Sequence, residues 1–185
     1  DKTDPETDDY KKVLAVMDAA ISDLRASGAE VVDPIVIPDM ASLFERLENT
    51  NFETEQAMNA YLEEHKDAPV KTLQQILISG KVLPWRASSL IEAVGRTTSD
   101  AGYLQVLLAK EELTLGVIKV MADHELDALV YATFDHQPSV IAADALTNSE
   151  TEDKYGLGSN RALSPMTGFP ALTVPAGFTT DALPV

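Results

Sequence analysis

The segment GSNRALSPMTGFPALTVPAGFT, residues 158–179, and the apolar run DALVYAT, residues 127–133, carry most of what this chain says about its fold. Prolines and glycines recur through the first of these in a fixed order. Proline holds φ at about −65° and glycine enters backbone regions closed to other residues, so each marks a turn. Thr167-Gly168-Phe169-Pro170 reads as one such turn, with Pro170 fixing the entry into a strand from Ala171 to Val174. Pro175-Ala176-Gly177 then ends that strand in a second turn, and Asp127 to Thr133 has the length and composition of another strand.

Working outward from that tail, Val13, Leu14, Met17, Ala20, Ile21 and Leu24 recur at helical spacing within Tyr10 to Ser27. Gly28 stands where a left-handed residue ends a helix, and Ala29 to Asp33 follows as a short β-branched run, with Pro34 and Pro38 punctuating its exit. Helix, glycine and strand in that order form one unit of a sheet with parallel pairing, so the expected fold class is α/β. Between these parts the pattern is helical. Met40 to His65 places Leu43, Phe44, Leu47, Phe52, Ala57, Met58, Ala60, Tyr61 and Leu62 inward, with a break at Asn49-Thr50-Asn51. Thr72 caps a short helix that Gly80 stops, while Lys81 to Thr98 shows no clear pattern. A longer helix, started by Ser99 or Asp100, reaches Asp123 and carries Tyr103, Leu104, Leu107, Leu108, Leu115, Ile118 and Met121. Gly116 inside it costs about 1 kcal/mol relative to alanine, and is expected to permit close packing.

Composition narrows the function classes. With 45% hydrophobic and 24% charged residues, the 185-residue chain can bury a core and is not of the disordered class. Its 14 basic against 30 acidic residues, a formal charge of −16, argue against nucleic acid or an anionic membrane surface as partner. There is no cysteine, and so neither a disulfide framework nor thiol chemistry. No run approaches the roughly 18 apolar residues needed to span a bilayer. A cytoplasmic location is expected.

The tail and the 127–133 run resemble the C-terminal portion of the amidase signature family, the Ser-Ser-Lys amidohydrolases. There a strand ending in Tyr-Pro-Thr precedes an Asn-containing loop and then Thr-Gly-Phe-Pro-Ala-Leu-Thr-Val-Pro-Ala-Gly. Ala19 to Pro34 is similar to the helix and strand that open the family's second half, and Asn51 to Leu62 with Ala68 to Leu77 to its middle helical region. One departure is Ala132, where the family carries proline. The resemblance implies part of a mixed β-sheet with flanking helices, and an enzyme that cleaves carboxamide C–N bonds through an acyl-serine without metal or organic cofactor.

The residues that would do that chemistry are not here. No Gly-Gly-Ser-Ser-Gly-like segment occurs, and in the resembled family such a segment carries the nucleophile and the oxyanion-binding amides. Lys81 with Ser88-Ser89 is the nearest substitute, but Ala87-Ser88-Ser89-Leu90 has no glycine to expose backbone N–H groups and reads as a helix start, with either serine as its cap. The expectation is therefore a single C-terminal subdomain, linker-like over Asp1 to Asp9, with no catalytic residue of its own. Its partners would be a small-molecule amide substrate and the N-terminal half of the same enzyme. Separated from that half, it should expose apolar surface and sheet edges and self-associate or need covering. The alternative is a non-catalytic binding or scaffold domain.

For substrate contact the resemblance points to Asn160, Thr167, Gly168, Phe169 and Tyr131. Asn160 reads equally as a pocket residue or a brace of its own loop, Phe169 equally as pocket or core, and Arg161 as a surface residue. No two of His65, His124 and His136 have metal-ligand spacing, so no metal site is expected. His65 and His124 read as helix-end cations and His136, beside Asp135, as a solvated loop residue.

Overall fold

The computed structural model describes residues 5–47, 51–148 and 159–185. Asn49 and Thr50 of the expected break, Asp1 to Asp4 of the expected linker, and Gly158 at the head of the tail segment lie outside the described residues. The elements are α1 (Asp8–Ala26), α2 (Met40–Leu47), α3 (Thr54–Glu64), α4 (Leu73–Ile78), α5 (Pro84–Ala93), α6 (Ala101–Asp123) and α7 (Leu163–Thr167).

The chain is helical, and the α/β expectation is corrected: among the described residues there is no sheet, only two isolated antiparallel bridges, Phe134 with Ser159 and Phe178 with Pro184. Residues 29–33, 128–132 and 170–176 lie outside any helix and form no ladder. Their apolar side chains face solvent, with Val130 65%, Leu172 82% and Val174 65% exposed. An apolar run bounded by glycine and proline specifies local conformation, whereas a strand also needs a neighbour for its backbone N–H and C=O groups. Among the described residues no neighbour is supplied.

The chain divides into two compact units, each described by itself. The first comprises Asp1–Leu43, Lys110–Val140 and Lys154–Val185. Its α1 begins earlier than Tyr10, because the Thr7 hydroxyl accepts from Tyr10 N at 3.3 Å and Asp8 and Asp9 complement the positive helix start. At the other end Gly28, at φ 96°, lets its own N–H reach Arg25 O and that of Ala29 reach Leu24 O, 3.0 and 3.1 Å. Val13, Leu43, Leu113, Val117, Val120 and Leu163 are this unit's buried apolar residues. Its last residues close a short hairpin, in which Ala176 N donates to Val185 O, Thr179 N to Leu183 O and Val185 N to Gly177 O, at 2.8, 2.8 and 2.9 Å.

The second unit comprises Phe44–Ala109 and Ile141–Asp153. Leu73, Leu90 and Ala93 form its central cluster, with Met58, Leu77 and Val82 against them. Thr72 caps α4 as expected, accepting from Gln75 N at 3.1 Å, and Asn59 Oδ1 accepts from Leu73 N at 2.8 Å. The patternless stretch from Lys81 contains α5, started by Pro84, which has no N–H to leave unsatisfied. Ala57, Ala60 and Tyr61, expected inward, are exposed. In this unit the tight glycine is Gly102, where an added Cβ would stand 2.9 Å from Phe52 Cζ; at Gly116, in the first unit, it would make an ordinary 3.6 Å contact with Ile37.

Candidate functional site

The tail residues singled out from the sequence fall into two neighbouring groups. Asn160 is bound to the segment after Tyr131: its backbone N–H donates to Thr133 O at 3.0 Å and its Nδ2 to Ala132 O at 2.9 Å. The side chain thus acts as a brace of its own loop. Tyr131, 39% exposed, lies next to the braced backbone. Leu163 N donates to Asn160 O at 3.2 Å and starts α7.

Gly168 ends that helix at φ 75° with its N–H on Ser164 O at 2.8 Å, which is the glycine-dependent turn the sequence called for. Ser164 Oγ donates to Phe169 O at 2.6 Å, and Thr167 Oγ1 to Leu163 O at 2.7 Å. Both hydroxyls are therefore spent on backbone carbonyls, that of Thr167 within α7 and that of Ser164 in the turn after it, and Phe169 is half-buried.

His136 is not the solvated loop residue expected. Its side chain is 10% exposed, its Nδ1 lies 3.3 Å from Asp135 Oδ1, and its ring stands edge-on to Phe134 with centroids 5.8 Å apart. Across the bridge from Phe134 lies Ser159, whose Oγ is buried and has no hydrogen-bond partner among the described residues.

A second polar cluster in the same unit has no signal in the sequence. Gln137 and Thr179, each 6% exposed, meet through a 2.5 Å hydrogen bond from Thr179 Oγ1 to Gln137 Oε1. Gln137 Nε2 donates to both Asp9 Oδ1 and Asp181 Oδ2 at 2.9 Å, and Lys12 Nζ reaches Asp181 Oδ2 at 2.6 Å. The hydrogen bond from Lys12, then that from Gln137, hold the Asp181 carboxyl below the usual carboxylate range. The same bond to Asp181, with Asp8 and Asp9 adding to it, raises the Lys12 ammonium. These five groups come from three distant parts of the chain, so no local spacing announces them.

Beside this cluster runs an open groove of about 510 Å³ between one face of α1, with Lys11, Lys12, Ala15, Val16 and Ala19, and residues 176–180. A second groove, of about 470 Å³, is lined in the other unit by Asn59, Glu63, Lys66, Lys71 and Thr72. Neither is lined by Asn160, Thr167, Gly168, Phe169 or Tyr131.

Ser88 and Ser89 lie inside α5 and cap nothing, contrary to the expected helix start. Ser89 Oγ donates to Arg86 O at 3.2 Å and accepts from Arg86 Nη1 at 3.3 Å. Among the described residues no three His, Asp or Glu side chains converge to hold a metal ion, and no helix is long and apolar enough to cross a membrane. Comparison with protein-family models, with curated proteins and with solved structures returns no match.

Proposed function

We propose that these residues form the C-terminal, substrate-contacting part of an amidase-signature-type hydrolase, one that cleaves carboxamide C–N bonds through an acyl-serine formed on another segment of polypeptide. The observation that carries this reading is the tail itself: TGFPALTVPAG at 167–177 follows an Asn-containing loop that is hydrogen-bonded to the backbone just after Tyr131. In such an enzyme a serine made nucleophilic by a neighbouring base attacks the amide carbonyl, and oriented donors hold the oxyanion. The present chain contributes residues along one side of the amide, around Tyr131, Asn160 and Thr167 to Phe169. The catalytic portion supplies nucleophile and base, and covers the exposed apolar side chains of Val130, Leu172 and Val174. Alone, the chain does not turn over.

The second reading, a non-catalytic binding or scaffold domain, is favoured by the helical architecture, which has no sheet among the described residues. A titration with phenylacetamide followed by amide NMR separates the two. The enzyme reading expects shifts concentrated at Tyr131, Asn160 and Thr167 to Phe169 with the amide left intact. Absence of any shift there overturns it in favour of the scaffold.

A further inference from the structure

Ser159 Oγ is the buried side-chain polar atom that the described residues leave without a hydrogen-bond partner. Burying a hydroxyl and leaving it unpaired costs the free energy of its lost hydration, so natural structures keep few such groups, and those kept have a reason. The position of this one is well defined. Ser159 pairs directly with Phe134 in an antiparallel bridge, and directly opposite residues project their side chains on the same face. The Phe134 ring therefore stands on the hydroxyl's side, with the His136 ring edge-on to it at 5.8 Å. On the backbone side, the two hydrogen bonds from Asn160 to Ala132 and Thr133 hold the loop in register. The result is a fixed, desolvated hydroxyl beside an aromatic wall.

We infer that Ser159 is a ligand contact, its hydroxyl hydrogen-bonding the carboxamide of an arylalkyl amide whose ring packs beside Phe134. This rests on the amide-binding reading above and deepens it by naming a residue and a substrate class. A hydroxyl both donates and accepts, and a carboxamide offers one carbonyl acceptor and N–H donors, so the pairing is complementary. A neutral ligand also suits the surroundings: Asp135 lies at 3.3 Å from His136 and the chain carries a formal charge of −16, which disfavours a carboxylate and so favours release of an acid product. Among the described residues the serine is held in one isolated bridge and in no ladder, so access requires opening that bridge.

The test is the phenylacetamide titration repeated on Ser159→Ala, with thermal unfolding of both proteins. The expected result is an affinity about fivefold to tenfold lower in the variant, the loss of one neutral hydrogen bond, with an unfolding midpoint equal to or above that of the parent because no partner is stranded. Equal affinity in both proteins overturns the role of Ser159 and leaves the amide-binding reading standing. A lowered midpoint with unchanged affinity assigns the hydroxyl a structural role instead. Failure of the parent itself to bind removes the amide-binding reading and this inference with it.

Discussion

Replacing Gln137 by leucine should destabilise the first unit by roughly 1–3 kcal/mol, a penalty traceable to one buried O–H donor left without its acceptor. Leucine is close to glutamine in volume, so no cavity opens, and the change is confined to hydrogen bonding. Gln137 Oε1 accepts from Thr179 Oγ1 at 2.5 Å, and both residues are 6% exposed, so the threonine O–H, whose oxygen still accepts from the backbone, loses its acceptor with no water to replace it. The Asp9 and Asp181 carboxylates that lose the Nε2 donor are solvated and add little. Thr179→Val removes the other half of the pair together with two weaker bonds, from Asp181 N and Leu183 N at 3.3 Å. In the double variant the buried contact becomes apolar on both sides, and its cost should fall below the sum of the single costs by about 1 kcal/mol. Urea unfolding at neutral pH followed by helix ellipticity measures all four corners of the cycle. A Gln137→Leu effect within about 0.5 kcal/mol, or strict additivity, would refute the assignment of this pair as the buried link between the loop after His136 and the C-terminal hairpin.

Two further outcomes follow from the packing and charge of the two units. Leu73→Ala, at a fully buried site packed by Leu90 and Ala93, should cost about 2–5 kcal/mol, whereas Ile78→Ala, 85% exposed on the same helix, should stay within about 0.5 kcal/mol; thermal unfolding compares them directly. The Lys12–Asp181 pair should shape both limbs of the pH–stability curve. Asp181 is depressed in the folded state, so its contribution is present above the ordinary carboxylate value and lost as pH falls through the depressed one. Lys12 is raised, so its contribution is present below the ordinary lysine value and lost as pH rises through the raised one. Asp181→Asn should flatten both limbs in a series of unfolding midpoints against pH, and the difference should shrink as salt is added.

What the sequence made legible was local. The left-handed Gly28 and Gly168, the Thr72 cap, the presence of α1, α4 and α6 and the ends of α1 and α6 to within a residue or two follow from residues within a few positions of each other, where capping geometry and φ preference act. What failed depended on distant partners. α6 is apolar on both faces, and it buries Val106, Ala109, Leu113, Val117 and Val120 while leaving Leu104, Leu107, Leu108, Leu115 and Ile118 exposed, a choice that periodicity cannot make. The segments around Val130 and Leu172 have strand composition, yet a strand is completed by its neighbour, and none of the described residues pairs with them in a ladder. At the candidate site, Asn160 was legible as a residue with two readings, and the structure uses it to brace its loop. Gln137 and Thr179 were not legible, because glutamine and threonine carry no signal until a fold brings them within 2.5 Å.

Whether this chain builds a reactive serine decides between a contributor to a hydrolase and a hydrolase in its own right. Exposure of the purified protein to a fluorophosphonate serine-hydrolase probe, followed by peptide mapping, answers that. The account predicts no modified serine, because Ser89 is bonded within α5, Ser164 within the turn after α7, and neither Ser88 nor Ser89 has glycines beside it to form an oxyanion site. Specific labelling at Ser88, Ser89 or Ser164 would contradict it and make this chain a hydrolase in its own right.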